Sequence, residues 1–405
     1  MFTGYEDKGM LLLRNRFFKT CAFNTNLQLW FRDRGVTSVD QLNGFTLATS
    51  IDQIKIVTTP NSIKYLKFGS VKDWLSNITP TFGIVKFEKE THFFDGRMVQ
   101  SHYQLLNTLR LPYEAVAALL QPSLEYVAGI RKDPSVLRYH IGYPLREEEE
   151  PDRPPNPLRS KNEIVFKLLG INDDFSKTKL YREFRNDIVK GFLRNLRQGH
   201  ILLRGNYSTL LGNGVEMLQA AIGEFKGESV IGAGNIHSKK FDYGKTILAS
   251  RSPHITMGNI LLVRNVGNEL IDRYFNLSKE IVYVNAIGEN ILQRLNGADY
   301  DSDTVLLTDN DILIAAAERY YNQFKVPTCF VESQKTKRRY TSLDKADLDV
   351  KTSVNKIGEI VNLSQQLNSI LWDRVNRGFT IESCQELYLD ICKLAVLSGI
   401  EINAA

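Results

Sequence analysis

The stretch NGADYDSDTVLLTDN, residues 296–310, carries the strongest local pattern in the sequence. Its aspartates Asp299, Asp301 and Asp303 are spaced by two, and a regular strand would place the outer two roughly 13 Å apart, since a strand rises ~3.3 Å per residue. They can share an ion only if the stretch bends into a tight loop. Small residues among them permit that bend, and the run TVLLT predicts a strand immediately after it.

Three ionised carboxylates held close together repel one another, so the predicted loop needs cations. Magnesium prefers hard oxygen ligands and keeps coordination positions open for phosphate. A pair of such ions suits phosphoryl or nucleotidyl transfer, where one activates the attacking hydroxyl and the other neutralises the leaving pyrophosphate. The pattern therefore predicts a magnesium site, with Asp299, Asp301 and Asp303 as metal ligands and catalytic residues.

Other structures share this spacing of acids. A calcium-binding EF-hand requires Gly at its sixth position and Glu at its twelfth, where this chain has Thr304 and Asn310, so that loop is excluded. A magnesium-dependent phosphatase of the haloacid-dehalogenase type uses DxDx[TV], which residues 301–305 fit, but it requires a buried hydrophobic strand before the first aspartate. The preceding LNGADY is polar, so the phosphatase stays an alternative enzyme. An aspartate-rich surface turn is the non-functional alternative.

A second segment, SRSPHITMGNILLVRN, lies upstream and offers an arginine. Arg251 and Pro253 precede Gly258 and Asn259, and a strand is predicted to follow. The planar guanidinium of arginine suits phosphate or ribose oxygens, so Arg251 is a candidate nucleotide-binding residue. Taken alone, Arg251 is explained equally well by a surface ion pair.

A third segment, TTPNSIKYLKFGS (58–70), offers two lysines. Lys64 and Lys67 are one helical turn apart after a predicted strand at 52–59, so both could reach one anionic ligand. They are candidate phosphate-binding residues, and taken alone they are better explained as solvated lysines. The tract KTKRR (335–339) is also basic, but it has little aromatic interleaving, so a solvated loop explains it better than a nucleic-acid channel.

The order of β-rich and helical segments predicts an α+β protein in four regions. Residues 1–110 form a first β-rich unit, 111–198 a helical connector, 199–312 a second β-rich unit that carries DYDSD, and 313–405 a helical region. Within the connector, residues 146–160 hold four of the 12 prolines beside an acidic run, which predicts an extended linker. The last residues carry no helix-ending signal, so we expect the natural chain to continue beyond them.

Individual elements are predicted from periodicity. A second strand in the first unit is predicted at FGIVKF, residues 82–87. The best helical pattern is NKIGEIVNLSQQLNSILWDRV, residues 355–375. Apolar residues at helical spacing are predicted to share one buried face of that helix: Ile357, Ile360, Val361, Leu367 and Leu371.

Composition excludes several classes of protein. With 43% hydrophobic and 10% aromatic residues, the chain can form a core, so wholesale disorder is excluded. No apolar run reaches about 18 residues, so no membrane span is expected, and the acidic start MFTGYED does not look like a secretory signal. Four cysteines without a CxxC pair predict no disulfide partner, no zinc site and an intracellular, cytoplasmic location. The net charge of +5 does not by itself argue for nucleic acid.

Taken together, the three segments resemble the two-barrel RNA polymerases. This family includes the RNA-dependent RNA polymerases of eukaryotic RNA silencing and their single-chain phage and bacterial relatives. DYDSD is similar to the family's DxDGD, and TPNSIKYLKF is similar to its lysine segment RPSMxKF. Arg251, Pro253, Gly258 and Asn259 keep the spacing of its RxP segment and the Gly-Asp beyond it. NKIGEI and LAVLSGIEINAA are similar to later segments, whereas residues 110–198 match none.

The resemblance implies an α+β fold in which two double-psi β-barrels, joined by a helical connector and followed by C-terminal helices, face each other across the active site. Residues 1–110 would form the first barrel and residues 199–312 the second. The implied activity is that of a template-directed RNA polymerase core, in which the 3′-hydroxyl of a growing RNA attacks the α-phosphate of a nucleoside triphosphate. A catalytically inactive relative that binds nucleic acid between its barrels is the alternative from another class.

The resemblance also implies roles for single residues. The three aspartates would hold Mg²⁺, Lys64 and Lys67 would neutralise phosphate, and Arg251 would contact the nucleotide's sugar or phosphate. The implied partners are a DNA or RNA template, the RNA product and nucleoside triphosphates, with no membrane partner.

The sequence departs from the family pattern at defined positions. Ser302 replaces the glycine of DxDGD, which matters because glycine adopts positive φ without strain. The asparagine that precedes the aspartates in cellular polymerases sits one residue off, at Asn296. The family's histidine falls elsewhere in the RxP segment, so His254 receives no role, and the KGV segment of the first barrel is not evident.

Overall fold

The computed structural model describes residues 2–79, 81–91, 93–147, 160–328, 338–353 and 356–404. Most of the predicted linker at 146–160 lies outside the described residues, as do the first three residues of KTKRR and Asn355 of NKIGEI. Of the basic tract, Arg338 is described, and it forms an ion pair with Asp347 at 2.8 Å.

Within the described residues the strands are β1 (Met10–Asn15), β2 (Phe18–Phe23), β3 (Gly83–Phe87), β4 (Met98–Gln100), β5 (Leu202–Arg204), β6 (Asn206–Leu211), β7 (Asn235–His237), β8 (Thr246–Ser250), β9 (Leu261–Asn265), β10 (Ile281–Val284) and β11 (Thr304–Thr308). The α-helices there are α1 (Leu27–Asp33), α2 (Val71–Leu75), α3 (Tyr103–Thr108), α4 (Tyr113–Lys132), α5 (Pro134–Glu147), α6 (Lys161–Ile171), α7 (Lys179–Arg197), α8 (Gly214–Ala221), α9 (Glu269–Tyr274), α10 (Ile291–Arg294), α11 (Asp311–Glu318), α12 (Ser342–Thr352), α13 (Ile357–Asn376) and α14 (Gln385–Ala404). Short 3₁₀ helices include Ile51–Gln53, Pro60–Ser62, Lys64–Lys67 and Met257–Asn259.

The described residues divide into two compact units. The first unit comprises those of Met1–Glu90, Asn107–Leu109 and Asn206–Ala405, and the second comprises those of Thr91–Leu106 and Arg110–Gly205. The candidate aspartates, the arginine and both lysines all belong to the first unit.

A closed six-stranded barrel forms the centre of the first unit, in the order β10-β6-β11-β8-β9-β7. Its strands are rich in β-branched and leucine residues, which suit a sheet that is buried on both faces. Alternate residues of each strand, such as Val282 and Val284 of β10 or Val305 and Leu307 of β11, pack together in one buried cluster. That alternation fills the inside of the barrel.

The N-terminal residues of the first unit form an antiparallel sheet in the order β2-β1-β3. Both faces of β1 are buried: Met10 and Leu12 pack in one cluster with Ile281 of the barrel, and Leu11 and Leu13 pack in another. The predicted strand FGIVKF is confirmed as β3. In the described part of the N-terminal region the sheet is open, so the barrel expected at residues 1–110, and with it the two-barrel arrangement, is not confirmed.

The predicted strand at residues 52–59 is wrong. Ile51–Gln53 is a 3₁₀ helix, and the chain then continues without regular structure. Gln28 explains the difference, because its Nε2 donates hydrogen bonds to Ile51 O at 3.0 Å and to Ile54 O at 2.9 Å. A side chain thus satisfies backbone acceptors that a strand would pair with a neighbouring strand.

The second unit is mostly helical and includes the described residues of the predicted connector at 111–198. Aromatic and aliphatic residues of α4 to α7 share one buried cluster, to which α7 contributes Tyr181, Phe184 and Phe192. A two-stranded sheet of β4 and β5 completes the described part of this unit.

The predicted C-terminal helix is confirmed as α13, but its buried face differs from the prediction. Val361 and Leu371 are buried, whereas the rest of the buried face includes the polar residues Ser364, Gln365 and Asn368. Hydropathy could not identify polar residues as buried. None of the described helices combines the length and apolar character that a membrane crossing requires.

Candidate active site

The three aspartates lie in a tight turn between α10 and β11, here called the aspartate turn (residues 296–303). The turn is closed by its own hydrogen bonds: Asp299 N donates to Asp303 Oδ2 at 2.9 Å, and Asp301 N donates to Asp299 Oδ1 at 2.9 Å. The bond between Asp299 and Asp303 brings the two ends of the DYDSD motif together. The predicted bend and the predicted strand after it are therefore both confirmed.

Positive φ angles produce the bend. Asn296 has φ +53°, Gly297 has φ +70° and Ser302 has φ +97°. Ser302, which stands where the family has glycine, therefore keeps the backbone conformation that favours glycine. The turn survives the substitution, and the serine carries the strain of a positive φ.

Tyr300 fixes the turn to the barrel. Its ring packs against the cluster that fills the barrel interior, and it lies so close to Gly212 that a Cβ atom there would stand 2.5 Å from the ring. Burial raises the pKa of Tyr300 to about 12. The side chain between the first two aspartates thus anchors the turn and points away from solvent.

Cations face two of the aspartates. Arg251 Nη2 lies 2.9 Å from Asp303 Oδ2, and Arg251 Nη1 donates to Asn296 O at 3.1 Å. Lys19, on β2, donates a hydrogen bond to Asp301 Oδ2. Arg251 therefore lies against the aspartates, and Lys19, which the sequence patterns did not identify, is a second cation beside them.

The pKa values of two aspartates move in opposite directions. Burial raises the pKa of Asp301, but the hydrogen bond from Lys19 and the charges of Lys19 and Lys64 outweigh burial, so the pKa is lowered. Burial raises the pKa of Asp299, and the negative charges of Asp303 and Asp301 add to this, so its pKa is raised. The effect on Asp301 places Lys64 within electrostatic reach of the turn.

The sequence offered two lysines without choosing between them, and the structure separates them. Lys64 and Lys67 stand at opposite ends of one 3₁₀ helix, and Lys64 contributes to the electrostatic field at Asp301. Lys67 is exposed, and within the described residues it forms no ion pair with the aspartates. Both lysines are exposed, and the positive charge of Lys64 contributes to lowering the pKa of Asp301.

Lys86, on β3, is a further cation on this side. It lowers the pKa of Cys21 electrostatically, whereas burial and then the charge of Asp301 raise that pKa, with a net rise to about 12. Lys19 and Cys21 lie two apart on β2 and therefore on one face of the sheet. Lys19, Lys64 and Lys86 form what is here called the lysine side of the site.

Gly258 belongs to the RxP segment, and its environment explains why a glycine stands there. A Cβ atom at this position would lie 2.3 Å from Lys325 O, a backbone atom that cannot move as a flexible side chain can. Tyr388 Oη closes the same space by donating a hydrogen bond to Lys325 O. The glycine is required by close approach of two backbones.

The donor chemistry of the turn fits magnesium, because Asp299, Asp301 and Asp303 supply only hard oxygen ligands. The arrangement is nevertheless an ion-paired one: among the described residues no three His, Cys, Asp or Glu side chains form a metal-binding group. Lys19 and Arg251 occupy positions next to two of the carboxylates. These aspartates are the residues that could hold a metal.

The phosphatase alternative is wrong. It requires a buried strand directly before the first aspartate of its motif, and here the chain before the turn is the short helix α10. The aspartate turn precedes a barrel strand and does not follow one.

Comparison with known proteins finds a similarity of fold. No family model matches the chain, and no curated protein matches it. Among solved structures, the chain is similar to the RNA dependent RNA polymerase QDE-1 from Thielavia terrestris, with a TM-score of 0.54 and 15% sequence identity. The similarity covers 98% of this chain but 42% of that protein, so it establishes a shared fold over less than half of the larger chain.

Proposed function

We propose that the chain is the catalytic core of a template-directed RNA polymerase of the two-barrel class. One observation carries the proposal: the aspartate turn at the end of the closed barrel meets cations from the N-terminal β-rich region. Lys19 bonds Asp301, and Lys64 acts on the same carboxylate. In the proposed fold, residues 1–110 form the first double-psi β-barrel and supply these lysines.

In the proposed reaction, the 3′-hydroxyl oxygen of RNA forms a bond to the α-phosphorus of a nucleoside triphosphate, and the bond to pyrophosphate breaks. Asp299, Asp301 and Asp303 would hold Mg²⁺, which when bound stabilises charge on the phosphates. Lys19 and Lys64 bind the triphosphate oxygens by charge-assisted hydrogen bonds. Arg251 bridges the turn and the nucleotide, since a guanidinium has five donors and uses only part of them on the turn.

The proposed partners are a DNA or RNA template, the RNA product and nucleoside triphosphates. We further propose that the protein acts inside the cell, where nucleoside triphosphates are supplied and the free thiol of Cys21 stays reduced.

A non-catalytic nucleic-acid-binding relative is the second candidate. The ion pairs of Asp301 with Lys19 and of Asp303 with Arg251 favour it, because they fill the positions of a metal with protein cations. The two candidates differ in their dependence on ions. The enzyme requires a divalent cation, whereas binding to a phosphate backbone depends chiefly on monovalent salt.

The deciding experiment supplies labelled ribonucleotides, Mg²⁺ and matched single-stranded DNA and RNA templates to the full-length natural chain. We expect a templated RNA product that is lost on chelation and in the variant with all three turn aspartates changed to alanine. A product that persists in that variant would refute the assignment of the three aspartates as catalytic residues. Nucleic-acid binding without any product would support the second candidate.

A further inference from the structure

The loop that carries Arg251, here called the arginine loop (residues 251–260), connects β8 to β9, and its residues 254–260 are buried. His254 is completely buried there. Its Nδ1 lies 2.7 Å from Ser250 Oγ, and its Nε2 lies 2.9 Å from Thr108 Oγ1. Both ring nitrogens thus have a hydroxyl partner, and the side chain fixes the start of the loop.

Two amides of α13 hold the next part of the arginine loop. Gln365 Nε2 donates to His254 O at 3.2 Å, and Asn368 Nδ2 donates to Ile255 O at 2.8 Å. Gln365 is 7% exposed and Asn368 is fully buried, so water does not compete for these bonds. The buried amides of Gln365 and Asn368 therefore hold the arginine loop in place.

Asn259 joins this fixed loop to the helix that leads into the aspartate turn. Its Oδ1 accepts hydrogen bonds from Thr256 N at 3.0 Å and from Thr256 Oγ1 at 2.9 Å. Its Nδ2 donates to Arg294 O at 3.1 Å and to Gln293 O at 3.5 Å. These carbonyls belong to the last turn of α10, and Gln293 O also accepts a hydrogen bond from Asn296 N at 2.9 Å.

The loop and the turn also meet on the side of the aspartates. Asn296 Nδ2 donates to Pro253 O at 2.7 Å, and Arg251 Nη1 donates back to Leu295 O and Asn296 O at 3.3 and 3.1 Å. Asn296, whose family counterpart is one residue away, therefore uses its amide within the protein.

We propose that Asn259 is a positioning residue that sets the angle at which the aspartate turn leaves α10 and thereby places Arg251 against Asp303. This inference rests on the proposed function, because it assigns a task within that active site. The resemblance places an aspartate at this position. An aspartate could accept from Thr256 but has no hydrogen to donate to the carbonyls of α10, so only the amide can bond both sides at once.

The test is the nearly isosteric substitution Asn259→Asp in the full chain. It sets a carboxylate against two carbonyl oxygens, so we expect backbone amides of residues 295–303 to exchange hydrogen about tenfold faster. We expect kcat/KM for nucleotide incorporation to fall about tenfold as well. Combined with Arg251→Lys, the two losses should be less than additive, because Asn259 acts through Arg251.

Asn265→Asp is the matched control. Asn265 is also buried, its Nδ2 donates to Ser238 O and Phe241 O, and its Oδ1 accepts from Ser238 N, but it has no bond to the arginine loop. The same chemical change should lower thermal stability comparably, leave exchange in residues 295–303 unchanged and add fully to Arg251→Lys.

The proposal is overturned if Asn259→Asp leaves exchange in residues 295–303 at the wild-type rate, or if it behaves like Asn265→Asp in all three measurements. Should Asn259→Asp fail to fold, Asn259→Ala removes the bonds to Thr256 and to the carbonyls of α10 without burying a charge. It should speed the same exchange, and an unchanged rate would overturn the proposal. Exchange needs no catalysis, so a wild-type chain without polymerase activity would refute the proposed function and leave this measurement standing.

Discussion

The aspartate side and the lysine side of the candidate site are built in different ways. The aspartates come from one continuous turn that closes on itself and is held by Arg251, Asn296 and Tyr300. The lysines come from three separate elements, β2, the 3₁₀ helix at Lys64–Lys67 and β3. Under the proposed function, the carboxylates that converge on small ions are held rigidly, whereas the lysines extend toward them on long, flexible side chains.

This contrast indicates a division of labour. A metal site requires short distances and fixed geometry, which a hydrogen-bonded turn supplies. A triphosphate changes its charge distribution during the reaction, and flexible ammonium groups can follow it as compact point charges. Substitutions on the two sides should therefore differ in size and in kind.

The largest effect is expected from the aspartate side. Asp301→Ala removes the central carboxylate of the turn and should lower nucleotide incorporation by at least about 10³-fold, as for loss of a group at the reacting centre. Folding should be spared, because Asp301 is partly exposed. Activity assays and thermal unfolding measure the two quantities, with the exposed Asp349→Ala as the control. An active Asp301→Ala enzyme would refute the site.

A smaller effect is expected from the lysine side. Lys19→Gln keeps a hydrogen-bond donor and removes the charge, so it should raise KM for nucleoside triphosphates about tenfold with a smaller change in kcat. The pKa of Asp301 should rise at the same time, because its main partner is neutralised. Lys72→Gln, on an exposed face of α2, is the matched control. A fall in kcat alone would show that Lys19 does not bind substrate.

The smallest effect concerns the strain in the turn. Ser302→Gly removes the cost of φ +97° and should raise the free energy of unfolding by about 0.5–1 kcal/mol. Ser353→Gly, at φ −69°, is the comparison, and there glycine should lower stability because nothing is relieved. Chemical denaturation of both variants gives the two signs. A loss of stability in both would show that Ser302 is unstrained.

The same contrast explains what the sequence could predict. The aspartate turn and β11 were predictable because one continuous local segment, residues 296–308, encodes both. Arg251 could be singled out by its spacing to Pro253 and Gly258 within one short segment. These features depend on neighbours in the chain.

Features that depend on distant residues were not predictable. Lys19 lies 282 positions from Asp301, and nothing in FKTCAF distinguishes it from any solvated lysine. At the strand expected at 52–59, Gln28 donates hydrogen bonds to Ile54 O and to the neighbouring Ile51 O. The buried side-chain amides of α13 are explained only by their hydrogen bonds to the arginine loop. The register of β2 against β1 places Lys19 opposite Arg14, so a prediction of strand pairing could have shown that two cations lie side by side here.

The ion pairs of the turn have one more consequence. Because Lys19 and Arg251 already balance two of the three negative charges, we expect the fold not to require a divalent cation, and chelators should leave its melting temperature unchanged. If the turn binds a metal as proposed, the metal would have to displace the ammonium group of Lys19 from Asp301. Metal binding would then exchange one cation for another and release Lys19 to bind the triphosphate.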